Sequence, residues 1–437
     1  MKRFFALLIV MSLIAVLAVG CGGATSAPEA ATEEAAATEE AAATEEAAAT
    51  EEAAATEEAA ATEEAAPADE WGEMVFAPGT QIKIGVSSAL TGGYAVYGQD
   101  MLNGVTLAIQ DFGGNLMGWE LVAEGGDDGC EGAPGVTVAE QFSADPAILA
   151  VVGPMCSGAV VPASDIYAEH NVVLITPSST AVIVTARGYQ NLFRLVANDD
   201  LQAQVTSDFL REDLGLSTLA IIHDQSIYGQ GIAEALKTKF EAAGGTVTAF
   251  EGITRGDTDF SAVIATVTAD NPEAIYFGGM DAEGALLISQ LRAAGFEGVF
   301  MGPDGIKSKP TFIDASGGAA EGSYATFGAV GGATGYEEWE VRFSEQFGGP
   351  PVAYGPGSYD AATIILRAAE SVARIDADGN LVIGRKALAD AIRAMVYDGI
   401  TGHLEFTETG DLKAVSITVF QVQNGEFVEV KKVDFGG

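Results

Sequence analysis

The sequence predicts an α/β protein of two lobes, each built on its own parallel sheet. Three observations carry that reading. Short apolar strands alternate with amphipathic helices through most of the chain, the signature of parallel sheets covered by helices on both faces. The alternation restarts near Asp200, after an irregular stretch around Arg187–Phe193. Beyond residue 400 it gives way to alternating strands with turn signals at Thr409-Gly410-Asp411 and Asn424-Gly425, which read as hairpins closing the fold.

Strands are expected at 82–89, 119–124, 148–153, 172–176, 219–223, 247–250, 274–278 and 298–302, with helices between them. In 229–243 the residues Ile232, Leu236 and Phe240 share one helical face, and Leu102, Val105, Ile109 and Phe112 do the same in 98–112. Asp259, in front of Phe260-Ser-Ala-Val-Ile, suits a helix N-cap.

The N-terminal segment reads differently. Lys2 and Arg3 precede an apolar run from Phe4 to Val19 that only Ser12 interrupts. The run is shorter than the ~20 residues a membrane-spanning helix needs, so 1–20 reads as a secretory signal. Cys21 follows Ala18-Val19-Gly20, which resembles the bacterial lipobox, although Ala18 stands where leucine is commoner. That resemblance implies a lipid-carrying N-terminal cysteine; an ordinary secreted protein is the alternative. Residues 21–70 read as a disordered Ala/Thr/Glu spacer, in which A-T-E-E-A-A recurs with Thr32, Thr38, Thr44, Thr50, Thr56 and Thr62 six apart. So few apolar side chains cannot offset the entropy of ordering, and as a helix the spacer would reach roughly 75 Å at 1.5 Å per residue.

The 367 residues from 71 onward suffice for two domains. Fifteen of the 62 acidic residues lie in 22–70, which leaves 47 against 19 bases, a net charge of −28 for the folded part out of −41 overall. So acidic a surface argues against nucleic acid and anionic lipid as partners. Apart from Cys21 the cysteines are Cys130 and Cys156. In an exported protein an even pair suggests a disulfide, with two buried thiols as the alternative; the bridge would close about 27 residues and contribute roughly 3 kcal/mol. The three histidines, His170, His223 and His403, sit in unrelated contexts, and no metal-ligand spacing is present.

Two loops after first-lobe strands are rich in hydroxyls: Cys156-Ser157-Gly158, followed by an apolar helix, and Thr176-Pro177-Ser178-Ser179-Thr180. Hydroxyls and free N–H groups at a helix N-terminus suit a carboxylate, and plain capping is the alternative. In the second lobe Tyr228, Met280 and Asp304 each follow a strand C-terminus, the edge where open α/β sheets bind ligands. An acid there suits an ammonium group, whereas Gly-Pro-Asp-Gly is also a common turn composition.

From about 82 to 425 the chain resembles the leucine/isoleucine/valine-binding proteins of bacterial branched-chain amino-acid ABC importers, which are type I periplasmic binding proteins. The strings that carry the resemblance are Tyr97-Gly98, D-D-x-C ending at Cys130, Cys156-Ser157, P-A-S-D-I-Y at 162–167, I-T-P-S-S-T at 175–180, T-A-R-G-Y-Q at 185–190, H-D-x-x-x-Y-G-x-G at 223–231, F-x-G-I-T-x-G at 250–256 and F-M-G-P-D-G at 300–305. What the resemblance implies is two Rossmann-like lobes joined by three hinge crossings near 195–199, 326–330 and 402–415. Lobe 1 would comprise 80–198 plus 327–404, and lobe 2 would comprise 199–326 plus 405–437. By the same analogy Ser157, Ser178 and Thr180 bind a ligand carboxylate, and Asp304 pairs with its ammonium. Tyr228, Met280 and Tyr97 line the path of the ligand side chain, and Cys130 and Cys156 form the family's disulfide. Asp304 is one methylene shorter than the glutamate of the best-known members, and Met280 replaces an aromatic, so the amino-acid class is better supported than any single amino acid.

The implied function is an extracytoplasmic binding protein, monomeric and held to the membrane through lipid alone, that passes an amino acid to an ABC permease without cofactor or metal. The alternatives are the same fold binding a short amide, urea or aromatic acid, or acting as a ligand sensor. An enzyme is disfavoured: there is no Gly-x-Ser-x-Gly elbow, and Gly229-x-Gly231 lacks the third glycine of a nucleotide fingerprint.

Overall fold

The computed structural model describes residues 68–328 and 333–436. The signal segment, Cys21 and the period-six repeats lie outside the described residues. Two sheets dominate. The first has six strands in the order Asn115–Leu116, Trp119–Asp127, Ile82–Ser88, Ile148–Val152, Leu174–Thr176, Leu192–Arg194. All pairings from Trp119–Asp127 onward are parallel. Every residue of Ile148–Val152 is buried, which is why that strand reads as an unbroken apolar run: parallel strands are covered on both faces.

The second sheet has seven strands in the order Glu426–Phe435, Val415–Gln423, Tyr324–Gly328, Val299–Gly302, Ala274–Gly278, Thr218–His223, Thr246–Gly252. Five are mutually parallel, and the C-terminal hairpin adds two antiparallel strands at one edge. Its loop is Asn424-Gly425 with φ of 54° and 77°, the two positive values a type I′ turn requires.

Helices pack as the periodicity implied. In Ile227–Ala242 the buried face carries Ile232, Leu236 and Phe240. Helix Ala95–Asp111 buries Val105 and Ile109 of the expected stripe together with Met101 and Ala108, while Leu102 and Phe112 are half-buried, and it sits very close to its neighbours. A Cβ on Gly104 would lie 2.2 Å from the Gly355 carbonyl oxygen, so only glycine lets this helix meet helix Gly355–Val372. Asp259 does not hold the N-cap position expected of it: Phe260 stands there, ahead of helix Ser261–Val267, and Asp259 accepts from the Ser261 N–H at 3.0 Å from one residue further out.

Among the described residues the chain changes lobe between Arg194 and Asp199, between Gly328 and Tyr336, and between Glu405 and Val415: no strand of the first sheet follows Arg194, but residues from Ala361 to Phe406 join its core. After the second passage Trp339 and Phe343 pack on Leu107 of the first lobe. Several strands have no counterpart in the sequence reading, among them Leu192–Arg194, Tyr324–Gly328 and Glu73–Phe76, the last of which pairs antiparallel with the equally unexpected Leu381–Gly384. Just before Glu73–Phe76, Asp69, counted above with the spacer, accepts hydrogen bonds from the N–H groups of Lys386 and Ala387 at 3.0 and 2.9 Å and so caps helix Arg385–Ala394.

Candidate functional site

The C-terminal edge of the first sheet presents two hydroxyl-bearing loops. Ser157 opens helix Ser157–Glu169, whose first N–H groups have no partner within the helix. Its Oγ accepts from the Ala181 N–H at 3.2 Å, which ties the two loops together. Ser178 Oγ donates to the Met155 carbonyl at 2.7 Å, and Ser179 Oγ donates to the same oxygen at 3.0 Å. Cys130 and Cys156 form a disulfide, with Cα atoms 5.1 Å apart, that fastens the loop after Trp119–Asp127 to the start of this helix. Beneath them the fully buried Arg194 donates to the carbonyls of Thr180 and Ala181 at 2.9 and 2.8 Å and to Asp411 Oδ1 at 2.9 Å. A buried guanidinium needs such complete pairing, and the pairing holds the Thr180 turn in place.

The second lobe supplies the acid. Asp304 begins a short turn, Asp304–Ile306, directly after strand Val299–Gly302. Its Oδ1 accepts from Gln202 Nε2 at 2.9 Å and from the Tyr228 hydroxyl at 2.8 Å. The same Tyr228 oxygen accepts from the Gly305 N–H at 2.8 Å. A Cβ on Gly305 would stand 2.5 Å from the Gly279 carbonyl oxygen and 2.8 Å from that hydroxyl, so glycine is what lets the acid's turn approach so closely. Burial pushes the Asp304 carboxyl up from its ordinary value, while the Gln202 and Tyr228 bonds pull it down. Neighbouring Asp199, the first residue of helix Asp199–Asp208, is fully buried, and neither of its carboxylate oxygens has a hydrogen-bond partner among the described residues. Burial, and then the charge of Asp304, push it up to about 8, against the smaller opposing pull of Thr180 and Arg194.

These groups meet around one small cavity of about 20 Å³, lined by Met155, Cys156, Ser157, Ser178, Thr180, Tyr228, Arg255, Met280, Asp304 and Tyr354. A void of about 420 Å³ adjoins it on the side of the interlobe passages and shares Ser178, Thr180, Asp304 and Tyr354. The smaller one is the better candidate for ligand chemistry, because hydroxyls, helix N–H groups and an acid converge there. It is little larger than one water.

Six of the seven residues singled out from the sequence line this cavity: Ser157, Ser178, Thr180, Tyr228, Met280 and Asp304. Tyr97 lines neither void. Its ring lies 5.8 Å from that of Tyr354, and its hydroxyl bonds the Asp281 carboxylate of the other lobe. Sequence reading missed Tyr354, Arg255, Gln202 and Asp199. Tyr354 is positioned by Asp100, whose buried carboxylate accepts from the N–H groups of Val352, Ala353, Tyr354 and Gly355 at 3.0, 3.0, 2.8 and 2.6 Å.

Residues 81–426 match the family model described as periplasmic binding protein. The chain is 35% identical over 349 residues to the leucine-, isoleucine-, valine-, threonine-, and alanine-binding protein of Pseudomonas aeruginosa, an alignment covering 78% of this chain and 89% of that one. Among solved structures, the leucine binding protein LivK of Thermotoga maritima superposes with a TM-score of 0.73 at 26% identity, covering 80% of this chain and 98% of that one. A solute binding protein of R. palustris in complex with benzoate superposes with a TM-score of 0.71 at 19% identity, covering 80% of this chain and 96% of that one, a likeness of fold alone.

Proposed function

The chain belongs to the periplasmic binding protein family, and from that premise we propose that it is an extracytoplasmic substrate-binding protein that captures an amino acid, branched-chain or similar, and delivers it to an ABC importer. One observation carries the ligand class: Ser157, Ser178 and Thr180 face Asp304 around a single cavity. The hydroxyls and the N-terminus of helix Ser157–Glu169 suit a carboxylate, and Asp304 suits an ammonium. A zwitterion spans the two walls and pairs its charges at both ends, as charges closed away from water require. An aromatic acid would leave Asp304 without a cation to pair with. Calorimetry against the twenty amino acids tests the reading: micromolar or tighter binding of at least one is expected, and no heat from any of them refutes it.

On this reading the lobes 80–198 with 327–404 and 199–326 with 405–437 hinge on the three passages and close over the ligand. A ligand touching both walls favours the closed form by its differential affinity. The protein works as a monomeric carrier rather than a catalyst. It is held to the membrane by lipid on Cys21 and set off from it by the period-six spacer. Fractionation tests the anchor: the native chain is expected with membranes and a Cys21→Ser variant in the soluble fraction, and equal partitioning of the two would remove it.

A further inference from the structure

Arg255 is the one cation among the described residues lining the inner cavity. It follows strand Thr246–Gly252 of the second lobe. Its Nε donates to Asp224 Oδ2 at 3.0 Å, and Asp224, fully buried, also accepts from the Ser226 N–H and Oγ at 2.9 and 2.6 Å. Nη1 reaches across the cleft to Glu131 Oε1 at 3.4 Å, and the guanidinium carbon lies 5.9 Å from the centroid of the Tyr94 ring. These contacts fix the plane of the guanidinium. A guanidinium carries five N–H donors in a rigid fork. Those on Nη2 have no partner among the described residues, although the side chain borders the site.

A donor beside a closing cleft has a strong preference about what closes over it. An apolar side chain strips its water and returns nothing, which costs the desolvation of an unmet charged donor. A neutral oxygen restores the bond. A third carboxylate is poorly suited, because Asp224 and Glu131 already neutralise this guanidinium and the folded part is strongly acidic. We propose that Arg255 is a specificity-determining residue of this site, donating from Nη2 to a hydroxyl or carboxamide oxygen on the ligand side chain, so that amino acids bearing such a group bind more tightly than their apolar isosteres. The inference rests on the amino-acid reading above and deepens it.

Calorimetry on the full chain with two matched pairs, valine with threonine and methionine with glutamine, provides the test. Native protein is expected to prefer the polar member of at least one pair by about tenfold, the scale of one net hydrogen bond gained or lost. Arg255→Lys keeps a positive charge beside Asp224 but loses the fork. It is expected to abolish the preference while holding the apolar member within about threefold. Glu131→Gln removes the charge across the cleft but keeps an oxygen to accept from Nη1, so the guanidinium stays oriented and the ratio is expected to be unchanged. Absence of any polar preference in the native protein overturns the proposal. So does an equal loss for both members of a pair in Arg255→Lys, the mark of a merely structural contact. Failure of all twenty amino acids to bind is a different result: it refutes the reading of the preceding subsection and this one with it.

Discussion

On the hydroxyl side of the cleft, Ser178 donates to the Met155 carbonyl and Ser157 accepts from Ala181, so the serine hydroxyls already have partners while the first N–H groups of helix Ser157–Glu169 remain to be met. Across from it, Asp304 holds two donors on one oxygen, and Asp199 holds none on either. The first wall is neutral, stapled by a disulfide and braced by Arg194. The second carries buried carboxyls that the protein satisfies only in part, and Asp199 among them, pushed up to about 8, keeps its proton at neutral pH. The difference teaches where selection occurs. On the proposed reading the hydroxyl wall takes the carboxylate and Asp304 takes the ammonium, so it is the acid wall that separates a zwitterion from a plain carboxylic acid.

The contrast is tested most severely at Asp304. Replacing it by Ala leaves a ligand ammonium buried without its counter-charge, a loss of about 3 kcal/mol or more and roughly 100-fold or more in affinity. Calorimetry on Asp304→Ala checks this, and an unchanged Kd would show that the acid wall does not select. Next comes the disulfide, which belongs to the hydroxyl wall alone. The double substitution Cys130→Ala, Cys156→Ala releases a loop with a sequence separation of 26, and about 3 kcal/mol of stability is expected to go with it in denaturant titration.

Third is the pH dependence of stability. Asp199 lies up at about 8 in the fold, above its ordinary carboxylate value, so the folded chain holds a proton that the unfolded chain releases. Stability is therefore fully present below about pH 4, falls as pH rises, and levels off above about 8, with a slope of at most about 1.4 kcal/mol per pH unit from this group. Asp128 and Asp360, each pushed by burial to about 6, add to the lower part of that window. Melting curves of Asp199→Asn are expected to be flatter than native ones between pH 6 and 8; parallel curves would remove Asp199 from the account. The smallest effect is expected on the neutral wall. Ser178→Ala deletes one buried hydroxyl bond, worth about 1 kcal/mol, and its ligand affinity is expected to drop far less than that of Asp304→Ala.

Most of the fold was legible because burial on both faces leaves an unmistakable record. Strands such as Ile148–Val152 and Ala274–Gly278 are wholly apolar and bounded by turn residues. Strand Glu73–Phe76 was not legible, because its four residues alternate exposed and buried and its partner lies far along the chain. The site divides the same way. Ser157, Ser178 and Thr180 stood out as clustered hydroxyls after apolar strands. Asp199 read as an ordinary acid in a first helical turn, since Asn198 does cap that helix through Leu201 N–H, and nothing local announces that its side chain is sealed in. Arg255 occupied the unspecified position of F-x-G-I-T-x-G, where a cation looks like a solvent-exposed turn residue. Tyr354 depended on Asp100, 254 positions away, a relation no local pattern encodes.

That long reach also governs how the molecule assembles. Glu73 lies opposite Gly384, and helix Ala95–Asp111 is covered by helix Gly355–Val372. A ribosome delivers the first sheet well before the helix and strands that complete its lobe, so nascent chains hold apolar surface open while the rest is made. Folds dominated by distant pairings are slow and prone to aggregate in the interval. Truncation before the 381–384 strand removes the partner of Glu73–Phe76 and is expected to leave that edge of the first lobe open.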